Sequence, residues 1–286
     1  MKKWTTVVLL FLLSCKSTDS INQFGKSASA GLREIGRSSP GFGQFCRLYD
    51  PAVLKAELDT GLYGRSSHKV IHCPEYRIAD SLTNVINQTL VTYFSLLQSV
   101  SDNKLLAYNA GDLVNSLASI QPQVLPSLNL TENKISAVKG LLNTILNEPL
   151  KCYRYKKLVS VMQQNDSLLT KVLSAYSFIL DSALSGEISQ AKANYTAFVY
   201  APLFEWSRTP VEKWIINKEY NQFVSNMDLE KERIDRSVRL LRLIQKDHHM
   251  LAFGKPPAGF AFTGHEISQD IVLINKMINE LIQIIQ

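Results

Sequence analysis

Four cysteines in 286 residues are too few for a fold built on disulfides. Thirteen glycines and ten prolines exclude collagen-like and proline-rich chains. Charged residues reach only 20%, against 45% hydrophobic, so the chain is no disordered tail and can bury a sizeable core. The apolar run near the start, Val7–Leu13, has seven residues, against the ~20 that a bilayer crossing needs. Between residues 65 and 253 the only glycines are Gly111, Gly140 and Gly186. No Asn-Gly, Asp-Gly or Pro-Gly turn separates alternating apolar runs, so β-hairpins are not indicated. Missing too are a Gly-x-Ser-x-Gly elbow, a Walker loop, a dinucleotide glycine pattern, zinc-ribbon spacing and the Glu-x-x-His pairs of di-iron bundles.

Apolar stripes at steps of three and four fill the rest. They run through Leu82, Val85, Ile86, Tyr93 and Leu97, and through Leu113, Leu117 and Ile120. Ile135, Val138, Leu142 and Ile145 follow Thr131, a candidate cap. The longest stripe, from Tyr155 to Ala183, is expected to end at Gly186; Asn165 and Asp166 interrupt it. Thr209-Pro210-Val211-Glu212 and Thr263-Gly264-His265-Glu266 are capping boxes, each opening a helix. The expected fold is all-α, an antiparallel bundle of about six to seven helices over residues 44–286.

The first fifteen residues have their own character. Lys2 and Lys3 precede the Val7–Leu13 run, which ends in Leu12-Leu13-Ser14-Cys15. This resembles the lipobox of bacterial lipoproteins; Leu12 and Ser14 fit, and Leu13 stands where a smaller residue is commoner. The resemblance implies removal of residues 1–14 as a signal peptide and acylation of Cys15, which anchors the protein to a membrane. Lys16, rather than Asp, follows the cysteine, which implies sorting to the outer membrane, facing the periplasm. Cleavage would leave 29 basic against 25 acidic residues, a mild +4 that argues against nucleic acid as partner. In an exported compartment Cys46, Cys73 and Cys152 would allow one disulfide and one remaining thiol, with the pairing open. Residues 16–43 hold six Ser and five Gly in 28 positions, linker composition that predicts a flexible tether.

Several groups carry chemistry worth weighing. His68, His72 and Cys73 sit close together, but Pro74 follows at once. His248 and His265 flank the 252–264 connection, where Glu266 and Asp270 make a weak metal site conceivable. Arg236, Arg239, Arg242 and Lys246 form a basic stripe on one helix face, suited to acidic head groups or an acidic partner. Lys151, Arg154, Lys156 and Lys157 form a second basic cluster. Tyr195, Phe198, Tyr200, Phe204, Trp206 and Trp214 read as core packing around a kinked helix. Phe253, Phe260 and Phe262 make the 252–264 connection apolar, a candidate binding loop. The reading is a lipid-anchored, exported helical module that binds another envelope protein, with no cofactor. Two other classes stay open: a small-molecule sensor or carrier with its ligand between helices, and a metal-dependent enzyme using the histidines.

Overall fold

The computed structural model describes residues 2–49, 74–101, 132–147, 155–254 and 267–285. All their regular structure is helical, as the stripes predict. We number the helices α1 (Lys2–Ser38), α2 (Phe42–Tyr49), α3 (Pro74–Ser101), α4 (Glu132–Asn147), α5 (155–206), α6 (Pro210–Phe253) and α7 (Ile267–Ile285). The expected helix at 113–120, the Thr131 and Thr263 caps and the His68–Cys73 group lie outside the described residues. No helix among the described residues is long and apolar enough to cross a membrane.

The segment read as a tether is instead part of the core. Ile21, Phe24, Ala28, Leu32 and Ile35, spaced three and four apart, are fully buried on one face of α1. The small residues that mimic a linker let neighbouring helices approach. A Cβ at Gly25 would stand 2.8 Å from the Phe94 carbonyl oxygen on α3, so only glycine allows that crossing. The following residues are pinned as well. Asp80 on α3 accepts the Phe42 and Gly43 N–H groups at 2.6 and 3.0 Å, capping α2 from outside, and Phe42 and Phe45 are buried beneath it.

α5 does not end at Gly186. It continues through two π-helical segments, Ile179–Leu184 and Thr196–Tyr200, to Trp206. One glycine in a helix costs about 1 kcal/mol, and burial of Ile188 and Ala191 just beyond it outweighs that. The Thr209 box forms as predicted. The Thr209 hydroxyl accepts from the Glu212 N–H at 3.2 Å, and the Glu212 carboxylate accepts from the Thr209 N–H at 3.1 Å. Its helix, α6, then runs 44 residues without a break to Gly254, whose φ of 70° closes it.

The order of contacts around the core is α3, α1, α7, α6, α5, with α4 against α5. α1 and α3 are antiparallel, as are α5 and α6, and α6 and α7. Phe24, Phe94 and His248 meet edge to face in the core, which sets α1, α3 and α6 at one level. The α1 entry therefore shares one end of the bundle with the close of α3, the close of α6 and the start of α7.

Candidate functional site

A buried polar seam lies at that end. His248 is fully buried and uses both ring nitrogens: Tyr93 Oη lies 2.7 Å from Nε2, and Asp166 Oδ1 lies 3.0 Å from Nδ1. The second Asp166 oxygen meets His249 Nδ1 at 2.8 Å. One proton arrangement satisfies every group. Tyr93 donates to Nε2 of a neutral His248, and both histidines donate their Nδ1–H to the Asp166 carboxylate. Burial lowers the His248 pKa and raises that of Tyr93. Burial pushes Asp166 up, but the hydrogen bonds from His248 and His249 outweigh it and hold the carboxyl below its ordinary range.

Both ring nitrogens of His248, a weak metal-ligand candidate in the sequence, are engaged here by Tyr93 and Asp166. The seam has the order of a catalytic relay, yet Tyr93 and His248 are both buried away from solvent, so the arrangement locks α3, α5 and α6 together. Among the described residues no group of three or more His, Cys, Asp or Glu side chains is placed to hold a metal ion. Asp166 was visible in the sequence only as a break in an apolar stripe. Its partners lie 82 and 83 residues away.

One residue before His248, Asp247 is fully buried and neither of its oxygens meets a donor. It faces Asp270 of α7, which Lys246 holds at 2.9 Å. Burial, then the negative charge of Asp270, push the Asp247 pKa up to about 8. A proton on Asp247 turns two opposed acceptors into a donor and an acceptor, which resolves the missing partner.

The predicted basic stripe does gather at one feature. Arg236, Arg239, Arg242 and Lys246 line a groove of about 660 Å³ between α6 and α7. Leu243, Leu273 and Met277 also line it, and Lys276 and Glu280 face the stripe from α7. Arg236 is neutralised by Glu232 and Glu280 at 2.6 and 3.0 Å. Asp181 stands 4.0 Å from Arg242, the limit of an ion pair. Lys276 could not have been anticipated, because nothing in α7 alone marks it.

The aromatic cluster is not core. From residue 195 to 226 no side chain is buried, and α5 and α6 run on as a two-helix arm beyond the bundle. Its inner seam is a ladder of rings. Phe223 stacks on Tyr195 at 4.0 Å, Tyr220 on Tyr200 at 4.1 Å, and Phe204 follows at 5.6 Å. Tyr200 also donates to Asn217 at 2.8 Å. At the tip Trp206, Val211 and Trp214 are 55, 66 and 64% exposed, with Ile215 beside them. Val211, Trp214 and Ile215 recur at i, i+3 and i+4, one face of α6. Two helices pack against each other along one seam only, so this outward face finds no cover within the arm.

Phe253 is exposed and touches the His249 ring at 4.7 Å, at the end of the bundle opposite the tip. Phe260, Phe262, His265, Glu266, Cys73, Cys152 and the cluster from Lys151 to Arg154 lie outside the described residues. Cys15 is on α1 and Cys46 on α2. Compared with known proteins, the chain matches no family model, no curated protein and no solved structure.

Proposed function

We propose that this protein is a lipid-anchored, exported helical module of the bacterial cell envelope, held at the outer membrane through Cys15, that engages another envelope protein with the tip of its arm. One observation carries the reading: Trp206, Val211, Trp214 and Ile215 stand uncovered at the far end of a rigid two-helix arm. Exposed apolar groups rimmed by charge mark interaction surfaces, and tryptophan is the residue most enriched at binding hot spots. The ring ladder fixes the arm before any partner arrives, so little ordering entropy is lost on binding.

The geometry of α1 supports an anchor at the opposite end. α1 is in the core from Ile21 onward, so the six helical residues from Cys15 place an acylated cysteine only about 9 Å from the bundle. α6, with 44 residues, spans about 66 Å from that end to the tip. An anchored bundle would thus stand on its membrane and hold its docking surface well clear of it.

Two arms of one experiment test this. Wild type should take up labelled palmitate and stay with membranes, whereas Cys15→Ser should do neither. The Trp206→Ala/Trp214→Ala double variant should keep the wild-type melting temperature, because both rings face solvent, and lose its cross-linked protein partner. Unchanged fractionation of Cys15→Ser would sink the anchor. A partner retained by the double variant would sink the arm.

A further inference from the structure

The groove between α6 and α7 is a separate site, on the flank of the bundle, and none of its residues belongs to the arm. Its cations are unequally committed. Arg236 and Lys246 are each held by carboxylates within 3.0 Å. Arg239, by contrast, meets no carboxylate among the described residues; its Nε reaches only the Asp235 carbonyl, at 3.4 Å. Arg242 and Lys276 are 61 and 71% exposed, with carboxylates no nearer than 4.0 and 3.9 Å. Three cations that their own protein leaves largely unneutralised thus converge from two helices on one stretch of groove.

The floor between them is apolar. Leu243 on α6 and Leu273 and Met277 on α7 supply it, and the aliphatic stems of the arginines extend it along the groove. A volume of about 660 Å³ falls within the range of small-molecule sites, ~300–1,000 Å³. A helical partner would need anchors over two turns, at i, i+3/4 and i+7. Here the apolar residues of α7 are four apart, about 6 Å along the axis, which is too short for that mode. The pattern is an amphiphile's: an apolar trough whose rim is cationic on balance, its two carboxylates, Glu232 and Glu280, both being paired with Arg236.

We propose that this groove binds an anionic lipid, with its phosphate held by Arg239, Arg242 and Lys276 and part of an acyl chain on Leu243, Leu273 and Met277. Two guanidinium forks and an ammonium suit the several acceptor oxygens of a phosphate; a planar carboxylate is already filled by one fork. The site does not depend on acylation of Cys15, since it recognises a lipid that is not attached to the chain.

The test places a benzophenone photo-crosslinker at Met277 of the full chain in its native membranes. The same probe at Leu229, an exposed apolar position elsewhere on α6, is the control for incidental lipid. Illumination should add the mass of a phosphorus-containing lipid at Met277, at least tenfold more than at Leu229. Arg239→Glu/Arg242→Glu should cut the Met277 adduct at least tenfold. Both side chains project from the bundle, so its melting temperature should hold; Lys276→Glu, on the other helix, should lower the adduct independently. No lipid adduct, equal labelling at Leu229, an adduct lacking phosphorus, a polypeptide adduct, or indifference to both charge reversals would each overturn the proposal.

Discussion

Asp166→Ala should lower the free energy of unfolding by about 3–4 kcal/mol at pH 7. The substitution leaves the Nδ1–H of a fully buried His248 without an acceptor and strips His249 of its partner. Each hydrogen bond to a charged carboxylate is worth roughly 1.5–3 kcal/mol, and a buried donor left unpaired costs roughly 1–3. Tyr93→Phe takes away only the donor to Nε2, for about 1–2 kcal/mol. Because the groups form one chain, the two losses should not add in a double-mutant cycle. Urea unfolding monitored by circular dichroism reads all three. A loss below about 1 kcal/mol for Asp166→Ala would mean that the seam is not what joins α3, α5 and α6. The same groups set the acid limb. His248 has a folded pKa below its unfolded value, so its contribution is complete above pH ~6.5 and is lost as pH falls toward the folded value. Asp166, also lowered, adds a loss below pH ~4.

Asp247→Asn should have the opposite sign and stabilise the protein by about 4 kcal/mol at pH 7. The folded pKa is raised to about 8, against ~3.9 in an unfolded chain. Between those values the native state binds one more proton than the unfolded state. Stability from this residue is therefore full below pH ~4 and falls by about 1.4 kcal/mol per pH unit until the folded pKa is passed. Asparagine keeps the shape of a protonated carboxyl and donates to Asp270 without needing a proton. The gain over wild type should thus grow steadily from pH 5 to pH 7.5. A gain that stays flat with pH would show that Asp247 is already ionised in the folded protein.

What could be read from the chain, and what could not, divides along the range of the interaction. The Thr209–Glu212 capping box is complete within four residues, and it formed as read. The helical stripes of α3, α4 and α7 rest on spacing alone and gave the all-α class. The α1 stripe was equally present at Ile21, Phe24, Ala28, Leu32 and Ile35, but serine and glycine between them matched linker composition. The composition in fact records close helix contact, which Gly25 shows against Phe94. The aromatic residues of the arm were misplaced for a different reason. Periodicity says which residues share a face, not how many helices lie against it, and past residue 195 only one does. The basic stripe was legible, whereas its groove needed α7, whose Lys276 and Met277 have no local signature. His248 carried no sign of Asp166, since a hydrogen bond across 82 residues leaves no pattern in either neighbourhood.

The proposed function gives the molecule a polarity, with an acyl anchor at one end and a docking tip at the other. Energy transfer from a dye to acceptor-labelled lipid measures it directly, using the full chain in vesicles. With the dye at Phe253, beside the α1 entry, transfer should be strong. With the dye at Trp214, about 60 Å farther along α6 by its rise per residue, transfer should be close to background. Equal transfer from the two positions, or stronger transfer from Trp214, would contradict the account.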